Sequence, residues 1–377
     1  MPATSMRVFN ALAVWGALLA GGCTSFADPS TVTDLRVLAV RTEPSEIILD
    51  VSTPAEAAAS VIPDILVTPL VADPTGGGRP LSVTVTACAN DPTAPSPPNN
   101  GDDPTNFPAG GARTTVGSAL CAGSPTELPI AADVDLASTA AVTARLPAAW
   151  VADAFRRDVF AGADGAVHGG FDLGMPVVFQ MTARAGDETV QAIKRVTFWL
   201  RPLRDDQVAN QSPVVSSVQV YDRRDETTAE PVPDAVRALE SDTPLEVPDS
   251  GLWVEPAPAQ AEPYVTAVID RLTGQVIPHD IARETVRYTY YATAGTFTPL
   301  QTSSEPEPGV TVSTRVHIES KYKPPPSGDR PPGEPLNVTI WIVARDERGG
   351  ASWVTRTLTV PPPLAASTGG AGARSDR

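Results

Sequence analysis

The sequence is poor in several residue types, and each shortage argues against a class of protein. Aromatic residues make up 6 % of the 377 residues, and Lys and Arg number 28 against 44 Asp and Glu, which gives a net charge of −16. Phosphate binding needs clustered Lys and Arg, so we expect no nucleic acid partner. The three histidines, His168, His279 and His317, are far apart, and none has a cysteine at ligand spacing. We therefore expect no metal site.

Motifs for catalysis are also missing. The chain contains no Gly-x-Ser-x-Gly elbow, and Gly76-Gly77-Gly78 lacks the Lys and Ser/Thr of a phosphate-binding loop. The pair His279-Asp280 follows Pro278 in a predicted turn, which favours a surface histidine over a catalytic one. Two carboxylates brought together by the fold could still form a glycosidase-type site. The sequence thus predicts a protein that is not an enzyme and has no cofactor, with an envelope hydrolase as the weaker alternative.

No apolar run is long enough to span a membrane as a helix. The longest one near the N-terminus, Val8 to Ala20, follows Arg7 and has 13 residues, whereas a spanning helix needs about 20. A basic residue, a short apolar run and then Gly21 and Gly22 are typical of a secretory signal. We therefore assign residues 1–22 to a signal peptide, whose start is either Met1 or Met6.

Cys23 follows this run directly. The segment from residue 6 to Cys23 resembles a bacterial lipoprotein signal, although Ala20 stands where that family usually has Leu. The resemblance implies that Cys23 becomes the first residue, carries lipid (diacylglycerol and palmitate) and anchors the chain in the outer membrane, facing the periplasm or the cell surface. The alternative is an ordinary secretory signal with a cysteine there by chance. Two or three acyl chains would anchor the protein stably, whereas one would not.

Proline and glycine, by contrast, are abundant. The 40 Pro and 28 Gly disfavour long helices and predict short strands joined by loops. A mature length of about 355 residues exceeds one ordinary core and indicates two domains. The predicted organisation is a tether at 23–33, a first domain at 34–203 with a long loop at 89–128, a linker at 204–213, a second domain at 214–361 and a flexible tail at 362–377.

Cys88 and Cys121 remain as an even pair in an oxidising compartment, so they are predicted to form a disulfide. In the strand beginning at Leu81, apolar and polar residues alternate, and Cys88 falls on the threonine face. The bridge should therefore hold the following loop against the face of the strand that points away from the core. In that loop, the oxygen-rich stretch from Asn99 to Asp103 could bind calcium, but it lacks the ligand spacing of a calcium loop, which favours a solvated turn.

Three further patterns locate secondary structure. Trp150, Val151, Ala154 and Phe155 have helical spacing after Pro147 and predict one short helix in the first domain. The end of each domain has a strand closing in Ala-Arg, a turn and a second strand, which predicts one terminal hairpin used twice. The stripe Tyr288, Tyr290, Tyr291 could be a carbohydrate platform, but alternating aromatics in a strand are more often core.

Short strands closing in long hairpins predict an all-β chain of two immunoglobulin-like antiparallel sandwiches in tandem. Residues 337–360 are similar to the closing hairpin of PKD-like and cadherin-like modules. The stretches Leu35–Arg41, Tyr288–Phe297 and Arg345–Gly350 look like parts of uncharacterised myxobacterial-type envelope lipoproteins. That resemblance implies a location and a fold without an activity. The function we expect is a non-catalytic, lipid-anchored envelope protein that binds an unknown protein or glycan or acts as a spacer; the alternative is a subunit of an envelope export or assembly complex.

Overall fold

The predicted strand-rich chain is confirmed by the computed structural model. It describes residues 28–89, 121, 123–157, 159–161, 167–169, 174–225, 230–269, 276–304 and 317–363. Within these ranges, the regular structure is mostly β-strand, with little helix. The signal peptide and Cys23 lie outside the described residues, as do the stretch Asn99–Asp103, most of the predicted loop 89–128 and nearly all of the predicted tail.

Ten strands lie among the described residues of the first half. They are β1 Arg36–Glu43, β2 Glu46–Ile48, β3 Ile65–Ala72, β4 Leu81–Ala89, β5 Leu128–Asp135, β6 Val142–Ala144, β7 Val159–Ala161, β8 Val167–Gly169, β9 Met175–Ala185 and β10 Glu188–Trp199. Strands β1, β3 and β6 form one sheet, and a second sheet has the order β2-β10-β9-β4-β5. Strands β7 and β8 pair separately. The apolar faces of the two main sheets enclose one core, which is the predicted β-sandwich arrangement.

In the second half, the structure describes twelve strands. They are β11 Val218–Tyr221, β12 Arg237–Ala238, β13 Leu245–Glu246, β14 Leu252–Pro256, β15 Pro263–Ile269, β16 Val276–Arg283, β17 Arg287–Ala292, β18 Thr296–Thr298, β19 Gln301–Ser303, β20 Ser320–Lys323, β21 Leu336–Arg345 and β22 Ala351–Val360. Two five-stranded sheets, β12-β11-β14-β20-β18 and β13-β22-β21-β17-β19, enclose the second core. Strands β15 and β16 form a separate pair.

The predicted terminal hairpin is present in both halves. Strands β9 and β10 pair antiparallel, as do β21 and β22, and a short edge strand then pairs parallel with the last strand of each hairpin. The two hairpins differ in their turns: Ala185 pairs with Glu188 across two residues, whereas Arg345 pairs with Ala351 across five. This difference explains why the two sequences lose register in their last strands.

Two α-helices lie among the described residues, both in the first half. Helix α1 spans Pro54–Ala57 and was not predicted; Thr53 caps it by accepting a hydrogen bond from the Glu56 N–H. Helix α2, Ala148–Arg157, is the predicted helix, and it buries Val151, Ala152, Ala154 and Phe155. Two 3₁₀ turns, Pro233–Ala235 and Ser327–Asp329, lie in the second half. No described helix has the length and apolar character to cross a membrane.

The two halves lie side by side. The outer face of the β1–β3 sheet packs against the outer face of β17, β21 and β22 through an apolar cluster, which we call the interface cluster. Its buried members are Val32, Leu38, Ala39, Ala72, Tyr291, Trp341 and Val343, with Leu70 and Trp353 at its border. The Arg345 guanidinium donates to the Leu38 carbonyl (2.5 Å), and Arg41 lies over the Trp353 ring at 5.3 Å. Because both sheet faces carry apolar residues, their contact removes apolar surface from water.

Candidate functional site

The most elaborate polar arrangement in the described structure lies at one end of the interface between the halves. It surrounds Arg348, in the loop between β21 and β22. We call it the linker-end cluster, because the predicted linker 204–213 passes through it. Its charged and amide side chains are Glu46, Lys194, Asn210, Glu262, Glu284, Asp346 and Arg348.

Arg348 is the centre of this cluster. Its Nε donates to Glu284 Oε1 at 2.6 Å, Nη1 to Glu46 Oε2 at 3.0 Å and Nη2 to Glu262 Oε2 at 3.1 Å. The Arg348 side chain is only 12 % exposed, and those of Glu46 and Glu284 are 4 % and 2 % exposed. Because Glu46 belongs to the first half and Glu262 and Glu284 to the second, one guanidinium joins both halves. Its planar fork of donors suits several carboxylates at once.

Backbone groups and neutral side chains complete the cluster. Glu46 also accepts hydrogen bonds from the Trp199 indole at 2.6 Å and from the Asn210 N–H at 2.7 Å. The Asn210 amide donates to both oxygens of Asp346 at 3.2 Å. Gly350 donates its N–H to Asp346, and a Cβ at Gly350 would lie 2.9 Å from the Ser212 Cα. The linker and the β21–β22 loop therefore approach too closely for a side chain at position 350.

The electrostatics of the cluster follow from its burial. Burial raises the pKa of Glu284 and of Asp346, although hydrogen bonds from Arg348 and from Gly350 and Asn210 oppose the rise. Burial also lowers the pKa of Lys194 to about 8, and the nearby Asp346 opposes that fall. The Lys194 ammonium donates to the Gly349 carbonyl, so it is a further connection between the halves. Four carboxylates share two cations here, and the negative charge of Asp346 adds to the rise in the pKa of Glu284 that burial causes.

Two open depressions lie beside the cluster, one on each side of Ile48. The first, about 410 Å³, is lined by Pro44, Glu46, Ile47, Ile48, Leu49, Ser60, Val61 and Pro63. The second, about 530 Å³, is lined by Ile48, Asp50, Pro202, Asp205, Gln207, Val208 and Ala209. Val61 is 91 % exposed and Val208 66 % exposed, which is high for large apolar side chains. Neither Glu284 nor Asp346 lines either depression, so the carboxyls with raised pKa values face the interface.

The predicted disulfide is confirmed. Cys88 and Cys121 are bonded, with their Cα atoms 5.4 Å apart. They pack with Val178 and Ile193 on the face of the sheet opposite the main core, as the alternation in β4 predicts. Thr126 continues the attachment, because its hydroxyl accepts from the Ala89 N–H at 3.0 Å. The disulfide thus covers the outer face of β4 and fixes the described end of the long loop.

The other candidate residues are not brought together. Tyr288 and Tyr290 lie in the second core and Tyr291 in the interface cluster, so the tyrosine stripe is buried and is not a carbohydrate platform. His317 Nδ1 lies 2.9 Å from Glu319 Oε1, and the side chains of His168 and His279 lie outside the described residues. In the part of the chain that the structure describes, no group of three or more His, Cys, Asp or Glu is arranged to hold a metal ion.

Sequence reasoning missed the linker-end cluster. Arg348 lies in an Asp-and-Gly turn, which resembles any solvated loop, and its partner Glu46 is 302 residues away. The only sequence signal was the charge-rich Arg345–Gly350 stretch itself. In comparisons with known proteins, no family model matches this chain and no curated protein has a similar sequence.

Proposed function

We propose that this chain is a non-catalytic, lipid-anchored protein of the bacterial outer membrane, in which two immunoglobulin-like sandwiches act as one rigid unit that binds a partner. The anchor would be an acylated Cys23, and the resemblance to myxobacterial-type envelope lipoproteins supports this location. The structural observation that carries the proposal is the side-by-side packing of the two halves, joined by the interface cluster and by Arg348.

This packing favours binding over the spacer role. A spacer gains reach when its domains follow one another end to end, whereas two laterally packed sandwiches are hardly longer than one. The packing instead gives a broad unit in which loops from both halves keep fixed relative positions. Fixed positions lower the entropic cost of binding, because the loops need not be ordered when a partner arrives. The net charge of −16 supports a partner other than nucleic acid.

A second candidate is a subunit of an envelope export or assembly complex. The specific support is the pair of depressions with Val61 and Val208, because exposed apolar side chains grouped in one area often mark protein contacts. Both candidates require anchoring through Cys23. They differ in the partner, which is another envelope protein for the subunit and an external protein or glycan for the binder.

Anchoring is tested by metabolic labelling with an alkyne analogue of palmitate. The full chain, expressed in a bacterium that processes lipoproteins, should incorporate the label and sediment with outer membranes. A Cys23→Ala variant should lose both the label and the membrane association. If Cys23→Ala stays membrane-bound and migrates unchanged in a gel, the anchoring proposal is wrong.

The proposal that the protein has no catalytic activity needs a separate test. Purified mature chain should not release products from peptidoglycan, other glycans or peptides above a heat-treated control. Glu46 is the residue to substitute in this test, because it is a buried carboxylate on the wall of a depression. Hydrolysis that Glu46→Gln abolishes, while the variant keeps its circular dichroism spectrum, would establish the hydrolase alternative. Protease treatment of intact cells would then separate surface exposure from a periplasmic position.

A further inference from the structure

The segment Asp28–Thr33, which we call the strap, precedes the first half in sequence, but its buried residues are bonded to the second half. Ala292 donates its N–H to the Ser30 carbonyl at 2.8 Å, and the Val32 N–H donates to the Ala292 carbonyl at 2.8 Å. Thr31 Oγ1 donates to the Gly295 carbonyl at 2.6 Å. Ser30 and Val32 are fully buried. The described part of the expected tether is therefore a packed segment that extends the β17 edge.

The strap marks one end of the interface, and the linker-end cluster marks the other. Along β17 and β21, Ala292 pairs with Ile340 near the strap, whereas Arg287 pairs with Arg345, which directly precedes the Arg348 loop. Strand β1 likewise begins just after the strap and ends at Glu43, beside the cluster residue Glu46. A strand of eight residues spans about 26 Å, so the two ends are at least this far apart.

The first half contributes to the strap end as well. Thr75 Oγ1 donates to the Thr33 carbonyl at 2.9 Å, which places the loop after β3 beside the strap. Arg79 in the same loop pairs with Glu188 at 3.0 Å, and Glu188 begins β10 at the turn of the first hairpin. The strap end is therefore built from loops of both halves, and the two depressions lie at the opposite end of the interface, beside Arg348 and Glu46.

Chain length limits how far the strap can lie from the lipid anchor. Ser30 is seven positions after Cys23, and even a fully extended chain of that length spans at most about 25 Å. If the linker end faced the membrane, the chain would have to cover the length of the molecule and the distance to the bilayer together. A nearly full extension is entropically unfavourable. If the strap end faces the membrane instead, the segment between Cys23 and the strap only has to reach the bilayer.

We propose that the strap end faces the lipid bilayer surface, and that the end with Arg348 and the two depressions faces away from the membrane. This inference rests on the proposed anchoring through Cys23. It identifies the loops around Thr75 and Gly295 as the surface next to the lipid headgroups. Thr298 belongs to the same surface, because the N–H of its neighbour Phe297 donates to the Ser30 hydroxyl at 2.9 Å. It also makes the area around Val61 and Val208 the part of the molecule that a partner in the periplasm or outside the cell meets first.

The orientation is tested by energy transfer from a labelled residue to acceptor lipids. With Cys88 and Cys121 in a disulfide and Cys23 acylated, an introduced cysteine is the free thiol of the mature chain. Thr298→Cys places a donor dye at the strap end, and Val208→Cys places it at the linker end; both positions are exposed. The lipidated protein is incorporated into phosphatidylcholine vesicles that contain a headgroup-labelled acceptor lipid, and vesicle-bound protein is isolated by flotation.

We expect energy transfer about two-fold or more higher from position 298 than from position 208, because position 298 lies near the strap and position 208 lies beside Arg348 at the opposite end of the interface. As a control, ten Gly/Ser residues inserted between Cys23 and Asp28 should reduce the difference while leaving the fold unchanged. Equal transfer, or higher transfer from position 208, in protein that floats would overturn the orientation alone. Failure of both proteins to float would overturn the anchoring and the orientation together, so the two failures are distinguishable.

Discussion

The two halves share a strand order but fill their cores with different side chains. In each half, a five-stranded sheet has a short parallel edge strand, the terminal hairpin and then two earlier strands. The largest buried side chains of the first half are Phe and Met (Phe155, Phe179, Phe198, Met175 and Met181). Those of the second half are tyrosines (Tyr221, Tyr288, Tyr290, Tyr291 and Tyr322), of which Tyr288, Tyr290 and Tyr322 lie in the second core. One topology thus accommodates two core chemistries.

The difference lies in how each core is tied to its loops. In the second half, tyrosine hydroxyls reach the surrounding backbone: Tyr322 donates to the Ala294 carbonyl at 3.0 Å, Tyr290 donates to the Ile318 carbonyl, and Tyr288 accepts from the Ala259 N–H at 2.7 Å. The buried Phe and Met side chains of the first half carry no hydroxyl groups. There, the Cys88–Cys121 disulfide attaches the long loop instead. Buried hydroxyls with partners and a covalent bond are therefore two solutions to one problem, the attachment of loops to a sandwich.

The largest expected effect comes from separating the halves so that each can be observed alone. Arg348→Met leaves Glu46 and Glu284 buried without their cation, which should cost about 3–5 kcal/mol. Urea unfolding followed by tryptophan fluorescence and circular dichroism should change from one transition to two, with the lower one at reduced urea concentration. Arg145→Met is the matched control, because the Arg145 side chain is 80 % exposed in its ion pair with Asp64. A single unchanged transition in Arg348→Met would show that the cluster does not couple the halves.

Next in size is the disulfide, which should act on the first half only. In a Cys23→Ala background, Cys88→Ser with Cys121→Ser opens a loop of 33 residues and should lower the free energy of unfolding by about 2–4 kcal/mol. Dithiothreitol should lower the stability of the parent by a similar amount and leave the double variant unchanged. The Arg348→Met background, in which we expect two unfolding transitions, allows the stability of each half to be measured. An equal loss of stability in both halves would contradict the assignment of the disulfide to the first half.

The smallest effect tests the tyrosine hydroxyls. Tyr322→Phe keeps the ring in the second core but leaves the Ala294 carbonyl without its donor, so it should cost about 1–2 kcal/mol. Tyr264→Phe is the matched control: its hydroxyl donates to Glu347 at 3.3 Å in a partly exposed position, and we expect less than about 0.5 kcal/mol. If both variants lose equally little stability in urea, the hydroxyls do not contribute as the comparison requires.

Local patterns predicted the strands and hairpins well, because side-chain alternation reflects burial on one face. Alternating aromatics in a strand were predicted to be core, and Tyr288 and Tyr290 lie in the second core. The alternation also placed Cys88 outside the main core. Helix α1 was missed because four residues are too short to show a helical period, although the cap residue Thr53 before Pro54 was visible in the sequence.

The arrangement of the halves could not be predicted in this way. The strap is a short run of small and polar residues, and nothing in Ser30 or Thr31 indicates bonds to residues more than 250 positions later. The sequence around Arg348 is equally uninformative, because the role of this residue depends on three glutamates that only the fold brings together. Sequence periodicity reports which face of an element is buried; it carries no information about which distant element covers that face.

The strap also constrains the order in which the molecule can be completed. Thr31 bonds to Gly295, 264 residues further along the chain. Since polypeptides grow from the N-terminus at about 5–20 residues per second, the strap is synthesised roughly tens of seconds before its partner exists. The strand β17 that covers Val32 does not exist during that interval, and pairing across so long a sequence separation is intrinsically slow. The residues nearest the N-terminus of the folded unit are therefore among the last to reach their native positions.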